Sequence, residues 1–372
     1  MDWKYSQPVT IIFGRNKINE LYDIFTQLGL KNGLLVSDPV FMGSGLAKKV
    51  MEFAKGALVE IYSNITPNPT IQNVDECADI IREKKLEFVA ALGGGSSLDC
   101  AKAAATIAMS EYSASDYHSG VRKLGTEHLP LIAIPTTSGT GSEVTPVAVL
   151  SDPERGVKAP LVSDNFYPSH AIIDPMLTIT VPKNITAATG MDVLSHALEG
   201  FWSKGHQPIC DAMALHAAKL VFEYLLKAYS DGENIEAREK MSEASVIAGL
   251  AFGIPKTAGS HACSFPLTNI YHLPHGEACA FTLDLFTRIN AEAENGRLHG
   301  FARQLGFNDA YSMADRILEM KRQMKLKITL EDAGIKQEEI EKLAELSRHP
   351  NMLNNPVEMK LQNIIDLYKT LA

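Results

Sequence analysis

The sequence predicts two kinds of architecture in succession: a Rossmann-like α/β domain with a parallel sheet over residues 1–183, then an all-helical domain over residues 184–372. Three observations carry this prediction. Short β-branched runs alternate with amphipathic helical stretches through the first half, the pattern of strand–helix–strand units with helices on both faces of a sheet. Beyond Thr180-Val181-Pro182 such runs nearly vanish and helical periodicity dominates. A chain of 372 residues is also long for one hydrophobic core.

Each element has a local reason. Val9-Thr10-Ile11-Ile12-Phe13 reads as a strand stopped by Gly14, and Asn16 is placed to cap a helix running to Leu30. Gly33–Ser37 and Leu58–Tyr62 read as strands, and Ile71–Glu83 as a helix. Phe88–Leu92 is an apolar run that ends in a glycine triplet, with a helix over Asp99–Met109 behind it. Leu131–Pro135 is a further strand. In the second half, helices are expected over Asp192–Ser203, Asp211–Tyr229, Ile235–Phe252, Leu283–Glu292, Tyr311–Met324 and Gln337–Leu346. No fixed-period repeat or low-complexity tract is present.

Composition narrows the function. Apolar residues make up 45% and charged residues 21%, as in soluble globular proteins. With 35 basic against 44 acidic side chains the net charge is −9, which argues against nucleic acid as a partner and leaves room only for a local basic pocket. The five cysteines form no Cys-x-x-Cys pair, and their odd number suits a reducing compartment. The start Met1-Asp2-Trp3-Lys4 is too polar for a secretory signal, and the longest apolar run, Val246–Ile254, is too short to span a bilayer. The expectation is a cytoplasmic protein that acts on a small molecule, with no membrane partner.

Two loops point to a nucleotide. Leu92-Gly93-Gly94-Gly95-Ser96-Ser97-Leu98-Asp99 follows a strand and opens a helix, so its amides and the helix dipole can stabilise a pyrophosphate. Pro135-Thr136-Thr137-Ser138-Gly139-Thr140-Gly141-Ser142-Glu143 follows the next strand; its hydroxyls suit phosphate, ribose or a nicotinamide amide, or else simply cap a helix. Asp38, ending the second strand, is either a ribose acceptor that favours NAD over NADP or a turn residue before Pro39.

A second constellation points to a metal. Asp192 and His196 lie at i and i+4, hence on one face of a helix, and His261 and His275 follow in Gly- and Pro-punctuated settings. One carboxylate and three imidazoles suit a divalent ion such as iron or zinc. Such an ion acts as a Lewis acid on an alcohol or carbonyl oxygen while a nicotinamide exchanges the hydride. His118, His128, His216, His299 and His349 are read as carrying no chemistry.

Taken together, these motifs resemble the group III, iron-containing alcohol dehydrogenases over essentially the whole chain. The resemblance rests on Phe13-Gly14, Pro67-Asn68-Pro69-Thr70, Gly93-Gly94-Gly95-Ser96 with Asp99, Ala101 and Lys102, the Pro135–Glu143 loop, Gly190-Met191-Asp192 with His196 and Glu199, and Pro274-His275-Gly276. It implies a dinucleotide-binding domain, a helical domain and an active site in the cleft between them. It implies Asp192, His196, His261 and His275 as ligands of Fe²⁺, with Zn²⁺ as the alternative. It implies NAD(H) contacts from Asp38, Asn68, Gly94, Gly95, Ser96, Thr136, Thr137 and Lys158, and the same motifs add Ser97, Asp99 and Thr140. A homodimer or higher homo-oligomer is expected.

The chain departs from the family's pattern in two places. Many members carry a second histidine one turn after the third ligand, where this chain has Phe265; a proton would then travel by water, a ribose hydroxyl or His272. Lys256, just before His261, is either a solvated loop residue or a cation for a substrate anion. Lys256, Phe265 and His272 are therefore the candidates for the catalytic and substrate side. The pattern resembles branches that act on short aldehydes with a terminal anion, of the phosphonoacetaldehyde, sulfoacetaldehyde and 4-hydroxybutyrate type. The tail Arg348–Pro356 is either a plain surface loop or one that reaches the substrate. Weighed against this dehydrogenase are a dehydroquinate synthase-like or glycerol-1-phosphate dehydrogenase-like enzyme of the same architecture, and a non-catalytic nucleotide-binding protein.

Overall fold

A computed structural model describes residues 2–372. Strands β1 (Thr10–Phe13), β2 (Gly33–Ser37), β3 (Leu58–Tyr62), β4 (Phe88–Gly93), β5 (Leu131–Pro135), β6 (Val147–Asp152), β7 (Val157–Val162) and β8 (His170–Ile173) all lie in the first half of the chain. Six of them form one sheet in the order β1-β8-β5-β4-β2-β3, with every pair parallel. β6 and β7 form a separate antiparallel hairpin.

Period-two alternation sends the side chains of each central strand to two different cores. Leu34, Val36, Val89, Ala91, Leu131 and Ala133 pack with Val74, Ala78 and Ile81 of helix Ile71–Lys84 and with Ala101 and Ala104 of helix Gly95–Ile107. Leu35, Phe88, Ala90, Leu92, Ile132 and Ile134 pack on the other face with Leu21 and Phe25 of helix Leu21–Gln27 and with Ala47 and Val50 of helix Leu46–Phe53. A parallel sheet covered on both faces has unbroken apolar strands, which is why Phe88–Leu92 carries no polar residue.

The strand order also fixes where a ligand can bind. From β2 the chain first moves outward to β3 and then returns to β4 on the opposite side of β2. The loops after β2 and β4 therefore diverge at a topological switch point, the usual ligand crevice of such sheets. Asp38 follows β2 and the glycine triplet follows β4.

The chain divides into two compact units, one of Ser6–Thr137 with Gly141–Ile179, the other of Thr180–Ala372 with Ser138–Thr140 and the N-terminal residues through Tyr5. The second unit holds no strand among its described residues. Its principal helices are Lys183–Trp202, Pro208–Ser230, Ile235–Phe252, Gly259–Asn269, His275–Phe281 and Ala310–Gln323. Their core is built from small and aliphatic residues such as Met191, Leu194, Leu198, Val221, Leu225, Ala244 and Ala248. Among the described residues, no helix is long and apolar enough to cross a membrane.

Three differences from the sequence reading have physical causes. Helix Lys183–Trp202 begins nine residues before the expected Asp192. Gly190 lies inside it because a neighbouring helix packs there: a Cβ would stand 2.1 Å from Leu225 Cδ1, so the position needs glycine despite its low helix propensity. Helix Gly95–Ile107 begins a full turn before the expected Asp99, so the glycine triplet makes the junction itself: Gly93 ends β4, Gly94 is the cap and Gly95 opens the helix. The tail is not a plain loop: Asn351 Nδ2 donates to Thr257 Oγ1 at 2.8 Å, and Asn354 Nδ2 donates to the Pro255 and Thr257 carbonyls at 2.8 and 3.0 Å.

Candidate functional site

The glycine loop is shaped for close approach. Gly93 has φ +155°, and a Cβ there would lie 2.4 Å from Ser97 Oγ. Gly94 caps the following helix without any side chain of its own, so no capping side chain competes with a ligand for the first-turn amides. Two hydroxyls nearby, Ser97 Oγ and Thr136 Oγ1, are buried with no hydrogen-bond partner. Orphaned buried donors are costly, and a polar ligand that takes them removes the cost. Asn68 donates its backbone N–H to Ser96 Oγ at 3.3 Å and accepts from Lys158 Nζ at 2.8 Å, so these three residues form one exposed polar rim. The Asp38 carboxylate caps the short helix after β2 by accepting from Val40 N at 3.0 Å, and its Cβ is 3.7 Å from where a Gly93 Cβ would stand.

Asp99 lies one layer behind this surface. Its carboxylate accepts from Ser142 Oγ at 2.6 Å and from Val149 N at 2.9 Å. The buried Lys102 ammonium joins the same node, donating to Ser142 Oγ, Thr145 Oγ1 and the Val147 carbonyl. Asp99 and Lys102 thus fix the glycine-loop helix to the Ser142–Val149 segment. Thr140 falls in the excursion Ser138–Thr140 that belongs with the helical unit, where Ser138 Oγ meets Ser242 Oγ at 3.1 Å.

Glu143, buried near Lys102, gives a pH prediction. Burial pushes its carboxyl from 4.5 up to about 7, although Lys102 opposes the rise. The folded chain therefore holds a proton that the unfolded chain releases, and the stability from that proton is present below about 4.5 and lost as pH rises through about 7. Glu143→Gln keeps the group neutral. Its melting temperature should match the parent near the acid end of this window and exceed it above pH ~7, by up to roughly 3 kcal/mol in stability. Parallel melting curves across that range would refute this reading.

The second constellation is buried in the helical unit. Asp192, His196 and Glu199 line one buried face of helix Lys183–Trp202. His261 sits in the first turn of helix Gly259–Asn269, and His275 begins helix His275–Phe281. The Nε2 atoms of His196 and His261 are 3.1 Å apart, and Asp192 Oδ1 is 3.8 and 3.7 Å from them. Single donor atoms of Asp192, His261, His275 and Cys279 all lie within 4.8 Å of one another. Donors about 2.1 Å from one ion stand roughly 3.0–3.4 Å apart, so Asp192, His196 and His261 are already within a few tenths of an ångström of that spacing.

The electrostatics fit a cation. Asp192 Oδ1 is buried and has no hydrogen-bond partner. Burial works to raise the Asp192 carboxyl, but His196, His275 and His261 outweigh it and hold the group below its ordinary value, hence ionised. Burial pushes His196 down to about 4, leaving it neutral with a lone pair to give. Burial opposes charge on His261 as well, yet Cys279 and Glu199 outweigh it and raise that ring well above its ordinary value. An ionised carboxylate and a neutral imidazole side by side are suited to a cation.

Three supporting residues escaped the sequence reading as functional groups. Glu199 Oε1 accepts from the Ser260 and His261 backbone amides at 2.6 and 3.3 Å, and its other oxygen accepts from His261 Nδ1. That contact fixes the tautomer so that Nε2 faces the other donors. Its signal was the heptad spacing from Asp192. Phe252 stacks on His196 with centroids 4.0 Å apart and planes 9° apart, locking the ring. Cys279, at i+4 from His275, repeats the spacing of Asp192 and His196, and its Sγ lies 3.8 Å from His275 Nε2. Gly276 makes the assembly sterically feasible: a Cβ there would lie 2.1 Å from the Ala188 carbonyl oxygen and 2.8 Å from Asp192 Cβ.

The remaining candidates are more dispersed. Lys256 has φ 70° and turns its ammonium onto the Gly253 carbonyl at 2.8 Å. Phe265 lies one turn after His261 and packs against His349 with centroids 4.1 Å apart and planes tilted by 32°, so a residue read as inert is brought beside the relay position. His272 is exposed, with φ 57°, in the connection before His275.

Comparison with known proteins identifies the family. The model of the iron-containing alcohol dehydrogenases matches residues 8–175, and the model of the C-terminal part of that family matches residues 186–372. The NAD-dependent methanol dehydrogenase of Bacillus methanolicus is 35% identical over 347 residues, covering 91% of each chain. The 1,3-propanediol dehydrogenase of Klebsiella pneumoniae is 32% identical over 378 residues, covering 98% of this chain and 97% of that one. Among solved structures, the sulfoacetaldehyde reductase of Bifidobacterium kashiwanohense, in complex with NAD⁺, superposes with a TM-score of 0.98 at 53% identity, covering 100% of this chain and 99% of that one. All three relatives are oxidoreductases, which favours the dehydrogenase reading over a lyase-like or non-catalytic one. The chain belongs to the iron-containing alcohol dehydrogenase family.

Proposed function

We propose that the protein is an NAD(H)-dependent, metal-dependent reductase of short aldehydes that carry a terminal anion, running in reverse as an alcohol dehydrogenase. The observation that carries the substrate class is the 53% identity, over the whole chain, to a sulfoacetaldehyde reductase. Asp192, His196, His261 and His275 are assigned to Fe²⁺, with Zn²⁺ as the alternative. Asp38, Asn68, Gly94, Gly95, Ser96, Ser97, Thr136, Thr137, Thr140 and Lys158 are assigned to NAD(H), with Asp99 holding their loop. The division of labour at about residue 183, a homodimeric assembly and a cytoplasmic location belong to the same proposal.

When bound, the ion polarises the oxygen of the carbonyl or alcohol. The chain's own residues do the rest. Glu199 and Phe252 hold two imidazoles in position, so little reorganisation is left for the reaction. The first-turn amides after Gly94, together with Ser97 and Thr136, bind and orient the dinucleotide. Phe265 offers an apolar face where no proton can be relayed, which leaves that task to water, a ribose hydroxyl or His272. Positive charge for the substrate's anion is available at Lys256 and in a cavity of about 520 Å³ lined by Lys204, Arg348, His349 and Lys360, with Glu358 as its one acidic wall.

The test is NADH oxidation by Fe²⁺-loaded protein with propanal, butanal, succinic semialdehyde, phosphonoacetaldehyde and sulfoacetaldehyde. One anionic aldehyde should exceed the neutral ones in kcat/KM by at least about tenfold, the equivalent of one charge-assisted hydrogen bond. Lys256→Ala and Arg348→Ala, assayed side by side, identify which cation confers that preference. Neutral aldehydes reacting equally well would refute the anionic substrate and leave the oxidoreductase standing.

A further inference from the structure

Cys279 is the one member of the buried donor cluster to which the proposed chemistry gives no task. We infer that its thiolate is a fifth donor to the metal ion held by Asp192, His196, His261 and His275. The inference rests on that ligand assignment.

Position is the first argument. Cys279 lies on helix His275–Phe281, at i+4 from His275, so both side chains leave the same face of one helix. Its sulfur is fully buried and lies within 4.8 Å of a donor atom on each of Asp192, His261 and His275. The 3.8 Å from Sγ to His275 Nε2 is at the long end of the roughly 3.1–3.8 Å expected of a sulfur and an imidazole nitrogen that are neighbours in a five-coordinate shell. The separations among the nitrogen and oxygen donors, 3.1–3.8 Å, are of the same kind. The sulfur's spacing thus resembles that among three of the four proposed nitrogen and oxygen donors.

The second argument is the orphaned oxygen. Asp192 Oδ1 is buried and unpartnered in the same group of donors as the sulfur, and a cation would satisfy it. The helix that carries His275 and Cys279 is held against that oxygen by Gly276, whose missing side chain keeps Asp192 Cβ at contact distance. The other cysteine on a helix of the metal site, Cys263, faces elsewhere, toward Tyr368 and Ser347. Burial of a thiol is therefore not what brings Cys279 to the cluster.

On binding, the S–H bond of Cys279 is exchanged for a sulfur–metal bond and the proton leaves to water. A thiolate adds a soft donor and a second negative charge to the shell. Both favour zinc and cobalt over a site of oxygen and nitrogen alone. The chain should hold Zn²⁺ against Fe²⁺ more strongly than a Cys279→Ser variant does, by about tenfold or more.

The experiment uses the full-length protein stripped with a chelator and reloaded with Co²⁺. The parent is expected to show an intense near-ultraviolet sulfur-to-cobalt charge-transfer band. Cys279→Ser should bind the same amount of cobalt without that band, and Cys263→Ser should keep it. Cobalt bound with no such band in the parent, or a band that survives in Cys279→Ser, would overturn the thiolate assignment while leaving the other four ligands untouched. Failure of the parent to bind cobalt would overturn the ligand set as well. If Cys279→Ser does not fold, ¹¹³Cd NMR of the unmutated protein decides: a resonance in the range of one-thiolate sites supports the inference, and one in the nitrogen–oxygen range sinks it.

Discussion

Replacing His261 with alanine is expected to remove metal and activity together while leaving nucleotide binding intact. The imidazole stands 3.1 Å from His196 Nε2 and 3.7 Å from Asp192 Oδ1, so its loss opens the middle of the cluster. It also strands Glu199, a fully buried carboxylate whose Oε2 would lose its imidazole partner. Truncating one member of a buried charged pair costs several kcal/mol, so the helices should lose thermal stability as well. Without a Lewis acid the barrier rises by several kcal/mol, which corresponds to a fall in kcat of about 10³-fold or more. Metal analysis, melting temperature and NADH fluorescence titration on one preparation separate these effects. A metal-free His261→Ala protein that still reduces aldehyde at an appreciable rate would end the ligand assignment.

Gly93→Ala should give the opposite separation. The residue has φ +155°, where an L side chain is strained, and the new methyl would lie 2.4 Å from Ser97 Oγ and 2.6 Å from Ser97 Cβ. Ser97 is in the first turn of helix Gly95–Ile107 and cannot retreat without moving that turn. The first-turn amides then lose their common aim, and the affinity for NADH should fall about 100-fold or more, equivalent to roughly 3 kcal/mol. The metal shell lies in the other compact unit and should keep its full occupancy. NADH binding within a few fold of the parent would show that the triplet is only a tight turn. The two variants together form a double dissociation that a general folding defect cannot imitate.

The elements legible in the sequence were those with a single dominant pattern. β2, β3 and β5 match the expected runs residue for residue: β2 and β5 are buried throughout between two cores, and the edge strand β3 shows through its β-branched and aromatic residues although it carries Glu60. Helix Ile235–Phe252 also matches at both ends, between its Asn234 cap and Gly253. β8 was missed because it has only four residues and begins with His170. The β6–β7 hairpin was missed because β7 has no buried residue and its run is interrupted by Pro160. Helices Gly259–Asn269 and His275–Phe281 were missed because Pro266, Pro274 and Gly276 read as breakers.

The candidate sites follow the same logic. Asp192, His196, His261 and His275 were singled out by residue type and spacing, and the fold brings them into one cluster. Glu199 and Cys279 went unassigned because their significance lies in what they face on another helix, which a linear pattern does not encode. Asp99 was read with the glycine loop because it is adjacent in sequence, whereas its carboxylate turns away to Ser142 and Val149. Lys256 was singled out for its charge, but its left-handed backbone lets the ammonium fold back on Gly253.

Ser138–Thr140 is a three-residue loan from one half of the chain to the other. It leaves the sheet-bearing unit directly after Thr137, gives Ser138 to Ser242 and sets Gly139 against Thr189, and returns at Gly141. The halves are therefore not exchangeable modules. A recombination event at residue 179 would pass on an N-terminal half together with a fragment of its former companion's helical core, and the recipient's helices would have to accept it. Inheritance in this architecture is expected to act on the whole chain, with residues of the tripeptide and those around Thr189 and Ser242 changing in concert.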